Sequence, residues 1–263
     1  MLNEISTHRG ARHHRMLGAA LVSAGMVSLA WMADARSRNR KRRSVHRTLI
    51  DVLLNALTAD DAMTARHSRR VADLTYVVAA AMGMRGAALA TARVAALLHD
   101  MGKIDDRFFD IVHSHKPLTP EQRAEIEHHP HESAHILGPL EKLHPGIRQI
   151  VSSHHECWNG SGYPVGLGGQ DIPLSARIIA VADVFDALTQ PRKYRDPMPM
   201  EDALEELHRG AGTQFDPAVV QLLLSPAIAA RWGAIARAGQ QDEERVREGE
   251  QDEKRTGFKG QGE

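Results

Sequence analysis

An all-α bundle carrying one N-terminal transmembrane helix is the fold that this sequence predicts, and three observations predict it. From about Val45 to Ala236 apolar residues recur at spacings of three and four, the helical period, and no alternating strand pattern interrupts them. Proline, glycine and capping residues punctuate that pattern at intervals that suit short helices. Ahead of it, Met16 to Ala33 runs 18 residues without a charge, at the lower end of the ~17–25 residues needed for a span.

The elements follow in order. Residues 1–15 are an N-terminal tail with Arg9, Arg12 and Arg15. Residues 16–33 are the transmembrane helix. Residues 34–46 are a basic juxtamembrane segment in which six of the eight residues from Arg36 to Arg43 are Lys or Arg. The heavier basic flank stays inside, which places the following domain in the cytoplasm. A cleaved signal peptide is the rival reading, because Ala33-Asp34-Ala35 resembles a cleavage site. The basic run behind it opposes export. A buried or interfacial Ala/Gly-rich helix is a third reading.

Residues 47–237 form the main domain. Thr48 to Leu57 and Thr64 to Met82 are amphipathic, the second through Val71, Leu74 and Val78. Ala87 to Leu98 is apolar on most sides and is expected to be central. Thr119 caps a helix from Pro120 to Glu127, with proline at its first position. Pro130 opens the next, which ends near Gly138-Pro139. Ile147 to Ser153, Leu174 to Leu188, Met200 to Arg209 and Pro217 to Arg237 complete the set. The Gly/Pro-rich stretch Asn159 to Pro173 is a long loop, and long loops in compact domains usually carry function. Residues 238–263 are polar, charge-mixed and expected to be disordered.

Composition narrows the chemistry. Lys+Arg and Asp+Glu are 33 each, which argues against a protein that coats nucleic acid. A single cysteine, Cys157, excludes an internal disulfide framework and suits a reducing compartment. The 16 histidines are the unusual number. His67 shares a stripe with Val71, Leu74 and Val78; taken alone, such a histidine is more often a core residue than a ligand. His99-Asp100 ends an apolar helix, and an unpaired carboxylate there is costly. A metal ion is one partner for it, and Lys103, one turn on, can face an anionic substrate. His129 begins a helix before Pro130. His154 and His155 are neighbours at a helix end; helical neighbours point ~100° apart, so the pair suits two ions, or an ion and a substrate, better than one ion. Asp183 sits in the apolar helix ARIIAVADVFDAL, where a salt bridge to Arg177 is the plain alternative. Imidazole and carboxylate without thiolate suit Fe, Mn, Zn or Mg. More ligands than one ion needs, with a carboxylate between them, suggest the two-ion arrangement of phosphoester hydrolysis.

His99-Asp100-Met101-Gly102-Lys103 resembles the HD signature of metal-dependent phosphohydrolases. The stretch from His154 to Pro164, HHECWNGSGYP, is similar to the extended signature of the HD-GYP family, and the likeness continues through IPLSARIIAVADVFDALTQPRKYR and GTQFDP. It covers roughly Thr58 to Leu224. The resemblance implies an HD-superfamily helical bundle whose active members hydrolyse cyclic di-GMP at a two- or three-metal centre. Its ligands here would be His67, His99, Asp100, His129, His154, His155 and Asp183, with Asp100 bridging. Lys103 would contact the scissile phosphate or assist proton transfer. Arg192 and Arg195 would hold phosphates and guanines. The loop from Gly160 to Pro164, with Gly162, Tyr163 and Pro164, would wall the site.

Three departures stand out. Asn159 replaces the family's usual Asp, which puts the loop's internal bonding or partner contacts in doubt. Met63, four residues before His67, stands where trinuclear members carry a carboxylate, which favours two divalent ions, Fe or Mn among them, over three. Ile104 to Leu118 is about one residue longer than the family's common pattern and holds His113 and His115, read as surface residues. Of His128 and His129, the proline that follows selects His129. The expected protein is a single-pass enzyme of the inner (cytoplasmic) membrane that opens cyclic di-GMP to a linear dinucleotide, with GMP a further product the family allows. The alternatives are an HD-type hydrolase of another cyclic or linear nucleotide, or a catalytically weak receptor or interaction module for the messenger. Diguanylate cyclase (GGDEF) proteins and a second copy of the chain are the protein partners this reading allows.

Overall fold

The computed structural model describes residues 48, 50, 52–55, 62–104, 107, 108, 111, 118–191 and 195–249, and the backbone alone for 250–257. The chain divides into two units, Met1–Leu53 and Leu54–Glu263. The transmembrane, juxtamembrane and N-terminal segments expected at 1–46, together with His113, His115 and Arg192, lie outside the described residues. Among the described residues the structure is helical, with no strand beyond two isolated bridges, Asn159 with Gly168 and Ala211 with Phe215.

Helices α1 (Ala62–Ala81) and α2 (Gly86–Leu97) form an antiparallel pair against α6 (Leu174–Thr189). The stripe of α1 read from the sequence is buried as expected, through Val71, Leu74 and Val78. Helix α2 is central only in part. Its first turn and a half is exposed, and burial begins at Thr91, because the small alanines ahead of that point leave little apolar surface to hide. Between α2 and α6 lie α3 (Pro120–Ile126), α4 (His129–Ile136) and α5 (Ile147–Ser152). Thr119 caps α3 in a full capping box with Gln122, two orphan donors satisfied reciprocally.

Helix α7 (Met200–Arg209) packs on α6. The single helix expected over Pro217–Arg237 is two: α8 (Pro217–Leu223) and α9 (Pro226–Gly257), bent by 79° at the break. Pro226 causes the break, since proline has no N–H to continue a helix and disfavours helical backbone before it. Trp232 of α9 is fully buried, 4.8 Å from the Phe185 ring, and its indole N–H donates to the Leu74 carbonyl at 3.1 Å. Helix α9 also corrects the disordered tail expected from residue 238. It runs on through Gly239 and Glu243, and Glu243 is buried against α1. Polar composition hid this, because beyond residue 238 the face that α9 turns inward is held by the ion pairs of Glu243 rather than by apolar residues. Among the described residues no single helix is long and apolar enough to cross a membrane; α8 and α9 pass by length and composition only as the bent pair.

Candidate metal centre

Five helices deliver the histidines and carboxylates to one place. His67 comes from α1, His99 and Asp100 from the turn after α2, His129 from the start of α4, His154 and His155 from the turn after α5, and Asp183 from α6. Two groups of three have ligand atoms all within 4.8 Å of one another: His67, His99 and Asp100, and His129, His154 and His155. Asp100 faces both. Its Oδ2 lies 3.5 Å from His99 Nε2 and 3.9 Å from His67 Nε2, while its Oδ1 lies 3.3 Å from His129 Nε2 and 4.0 Å from His154 Nε2. Asp183 joins the first group, with Oδ1 3.2 Å from His67 Nε2.

The backbone aims these rings. The Nδ1 atoms of His99, His129 and His154 lie 2.8, 2.6 and 2.6 Å from the carbonyls of Ala96, Ile126 and Val151, each three residues earlier. A carbonyl only accepts, so each Nδ1 carries the proton and each Nε2 presents its lone pair inward. Gly102 makes the approach of the HD turn to α4 feasible: a Cβ there would sit 2.4 Å from the His129 carbonyl oxygen. Its N–H donates to Ser133 Oγ at 2.7 Å. His128, the rejected neighbour, is exposed, whereas His129 is buried.

Divergence of His154 and His155 is not observed. Both turn into the same group, with ring centroids 4.1 Å apart. They lie past the end of α5, where the 100° rotation between helical neighbours no longer applies. Asp183 does not pair with Arg177, which bridges to Asp216 instead.

The donor set fits a divalent cation. His99 Nε2 and Asp100 Oδ1 are buried without a hydrogen bond, a costly state for polar atoms. His129 Nε2 and His154 Nε2 face each other at 3.3 Å, and two imidazole lone pairs at that distance call for a cation between or beside them. Burial keeps His154 and His155 neutral, His155 at about 3, so their lone pairs are available. His67 differs: burial opposes its charge, but hydrogen bonds to Asp183 and Asp186 override it and push it up to about 9. Burial works against the ionised carboxylates, yet His99 and Lys103 hold Asp100, and His67 holds Asp183, below the usual range.

The remaining predicted residues take varied places. Lys103 donates to Asp100 Oδ2 at 2.8 Å and stays a quarter exposed. Tyr163 stacks on His155 at 4.9 Å between centroids, and burial raises its hydroxyl pKa. Gly162 packs on the chain, since a Cβ would lie 2.3 Å from Cys157 N, and Pro164 follows a cis bond from Tyr163. Arg195 is exposed and donates to the Ala187 carbonyl of α6. Asn159 keeps the loop bonded internally: its Oδ1 accepts from Ser161 N at 3.0 Å and Ser161 Oγ at 2.7 Å, which needs only the oxygen that Asn and Asp share.

Three residues escape the sequence reading. Buried Glu156 accepts from the N–H groups of Val165, Gly166 and Leu167 and shapes the loop beside the site. Asp186 accepts from His67 Nδ1 at 2.8 Å, and Arg70 donates to both of its oxygens. Glu156 lies inside the HHE motif, and Asp186 stands three residues after Asp183 on the same apolar helix, a second buried carboxylate that needs a partner.

The chain matches the family model described as "HD domain" over residues 51–219. It is 39% identical over 181 residues to a cyclic di-GMP phosphodiesterase of Thermotoga maritima, covering 65% of this chain and 47% of that one. It is 38% identical over 185 residues to 3'3'-cGAMP-specific phosphodiesterase 2 of Vibrio cholerae (69% and 35%). To the cyclic di-GMP phosphodiesterase response regulator RpfG of Xanthomonas campestris it is 35% identical over 197 residues (74% and 50%). The chain therefore spans between a third and a half of the length of these curated relatives. Its fold is that of the HD domain of the Listeria monocytogenes phosphodiesterase PgpH solved with cyclic di-AMP, at a TM-score of 0.50 and 23% identity over 69% of this chain and 96% of that one. A His-Asp pair at the centre of a helical bundle, the HHE and GYP stretches beside it and a family match across most of the domain lead to one assignment: the chain belongs to the HD-domain family, in its HD-GYP branch.

Proposed function

We propose that this protein is a metal-dependent phosphodiesterase that opens cyclic di-GMP to a linear dinucleotide. The observation that carries the reading is Asp100, whose two oxygens face two separate ligand groups. Two divalent ions, Fe or Mn among the candidates, would be held by His67, His99, Asp100 and Asp183 on one side and by Asp100, His129, His154 and His155 on the other. Bound ions of this kind supply Lewis acidity toward a phosphoryl oxygen and activate water at neutral pH. The chain's own groups do the rest. Lys103, beside Asp100 and partly exposed, offers a fixed cation for phosphate charge. Tyr163 and His155 form a stacked wall along one side. Arg195 and Arg192 bind the ligand at a distance from the reacting phosphorus. Two ions are favoured over three because Met63 has no hard oxygen to offer.

Another cyclic dinucleotide as substrate is the second reading, supported by relatives named for 3'3'-cGAMP at similar identity. Anaerobic purification, metal analysis and turnover of cyclic di-GMP beside 3'3'-cGAMP separate the two. Metal-replete protein that binds cyclic di-GMP and never cleaves it is a receptor, and the enzyme reading fails. The anchor is part of the proposal: residues 16–33 tether the domain to the cytoplasmic face of the inner membrane, with 34–46 against anionic lipid at ~1 kcal/mol per charge. Fractionation of the full chain tests it, and recovery in the soluble fraction or a mature N-terminus near Asp34 overturns it. Diguanylate cyclase partners and a homodimer remain within the proposal.

A further inference from the structure

We propose that the C-terminal part of α9 is a working part of the metal centre, and that Glu243 and Gly239 are positioning residues for the ligand His67. The connection is continuous. His67 presents Nε2 to Asp183 and the HD pair, and its Nδ1 is 2.8 Å from Asp186 Oδ2. Asp186 is buried and held by Arg70 with two parallel bonds, Nε to Oδ1 at 2.7 Å and Nη2 to Oδ2 at 3.0 Å. The third arm of Arg70, Nη1, donates to Glu243 Oε1 at 3.2 Å. Glu243 is buried in turn and takes a second fork from Arg66, 2.9 Å for each bond. The order from ligand to helix is His67, Asp186, Arg70, Glu243.

Gly239 gives the same helix its approach. A Cβ there would lie 2.5 Å from Arg70 Cδ and 2.7 Å from Gln190 Oε1. Arg70 cannot swing aside without surrendering the fork on Asp186. Residues on either side of this contact fasten α9 to the end of α6: Gln190 donates to the Ala236 carbonyl at 3.1 Å and Gln240 to the Thr189 carbonyl at 2.7 Å. A carboxylate behind a ligating histidine fixes its tautomer and orientation, and removing such a partner commonly costs 10–100-fold in metal affinity. Here the carboxylate is itself steered from α9, and α9 touches none of the other ligands through this network. The inference rests on reading the cluster as a metal centre and is independent of the substrate.

The test is Mn²⁺ binding by calorimetry to the full chain, with thermal melting of each metal-free variant alongside. Two binding steps are expected for the wild type, one weakened by His67→Ala and the other by His129→Ala. Asp186→Asn should weaken the His67 step by about 10–100-fold. Glu243→Gln, which keeps shape and removes charge, should weaken the same step by roughly 3–10-fold, being one link further out. Gly239→Ala should act in the same direction and leave the His129 step intact. Arg245→Ala removes an exposed ion pair with Asp242 on the same helix and should leave both steps unchanged. If Gly239→Ala does not fold, Glu243→Gln carries the test. Both steps weakening together with a lower melting temperature would make α9 a general brace and overturn the inference. So would unchanged Mn²⁺ binding in Glu243→Gln and Gly239→Ala while His67→Ala still loses its step. A wild type that binds no Mn²⁺ through His129 or His67 defeats the metal reading itself, which distinguishes that failure from this one.

Discussion

The two halves of the ligand cluster are built on different principles. The half made of His129, His154 and His155 is imidazole-rich, and two of its rings are anchored on backbone carbonyls three residues back. Its orientation is settled within single turns of chain. The half made of His67, His99, Asp100 and Asp183 is carboxylate-rich, and His67 is anchored by a side-chain relay that crosses from α1 to α6 and α9. Burial keeps His154 and His155 neutral in the first half, whereas paired carboxylates hold a proton on His67 in the second. The contrast teaches that one centre can offer a neutral nitrogen cage and an anionic pocket side by side, with Asp100 common to both.

The harshest way to break the comparison is to remove the shared residue. Asp100→Ala should lose metal from both halves and abolish turnover of cyclic di-GMP, read by elemental analysis and product chromatography. Metal content near that of the wild type would mean that the halves do not depend on it. Lys103→Ala comes next. It should keep its metal while turnover falls on the order of 10²–10³-fold, as for other preorganised electrostatic groups. Loss of metal in that variant would place Lys103 in the structure of the site and not in its chemistry. Arg195→Ala is expected to raise KM with kcat nearly unchanged, since uniform binding is lost when a contact is remote from the reacting atom.

The smallest effect is on stability, and it sharpens the contrast in proton affinity. The folded pKa of His67 is raised from 6.5 to about 9. Its contribution is therefore fully present below pH ~6.5 and is lost as pH rises through 9. His155 moves the other way, to about 3, so its contribution is present above pH ~6.5 and is lost as pH falls. Metal-free protein should be most stable near pH 6.5, with melting temperature falling on both sides at about 2–4 °C per kcal/mol. In His67→Ala the alkaline decline should flatten while the acid one stays. An alkaline decline of full size in that variant would assign the effect to another group.

Helix existence and the identity of the clustered residues are legible in the amino-acid sequence, for local reasons. A 3.6-residue apolar period declares a helix wherever it stands, and Thr119-Pro120 or Gly102 acts on its own neighbours. HDMGK and HHECWNGSGYP hold four of the seven residues that the fold brings together, and the wider family resemblance names His67, His129 and Asp183 beside them. Distances between residues far apart in the chain, such as His67 and Asp183, are beyond it, as is the turning of His154 and His155 to one side after α5 ends. Which partner satisfies a buried charge is also a long-range matter. Arg177 pairs with Asp216 and not Asp183, and Glu243 reaches Arg66 and Arg70 across 177 and 173 positions. The polar stretch after Ala238 becomes a helix because those buried forks offset the entropy of ordering it. Composition alone predicts a polar segment to be solvated; only packing determines whether its charges find partners.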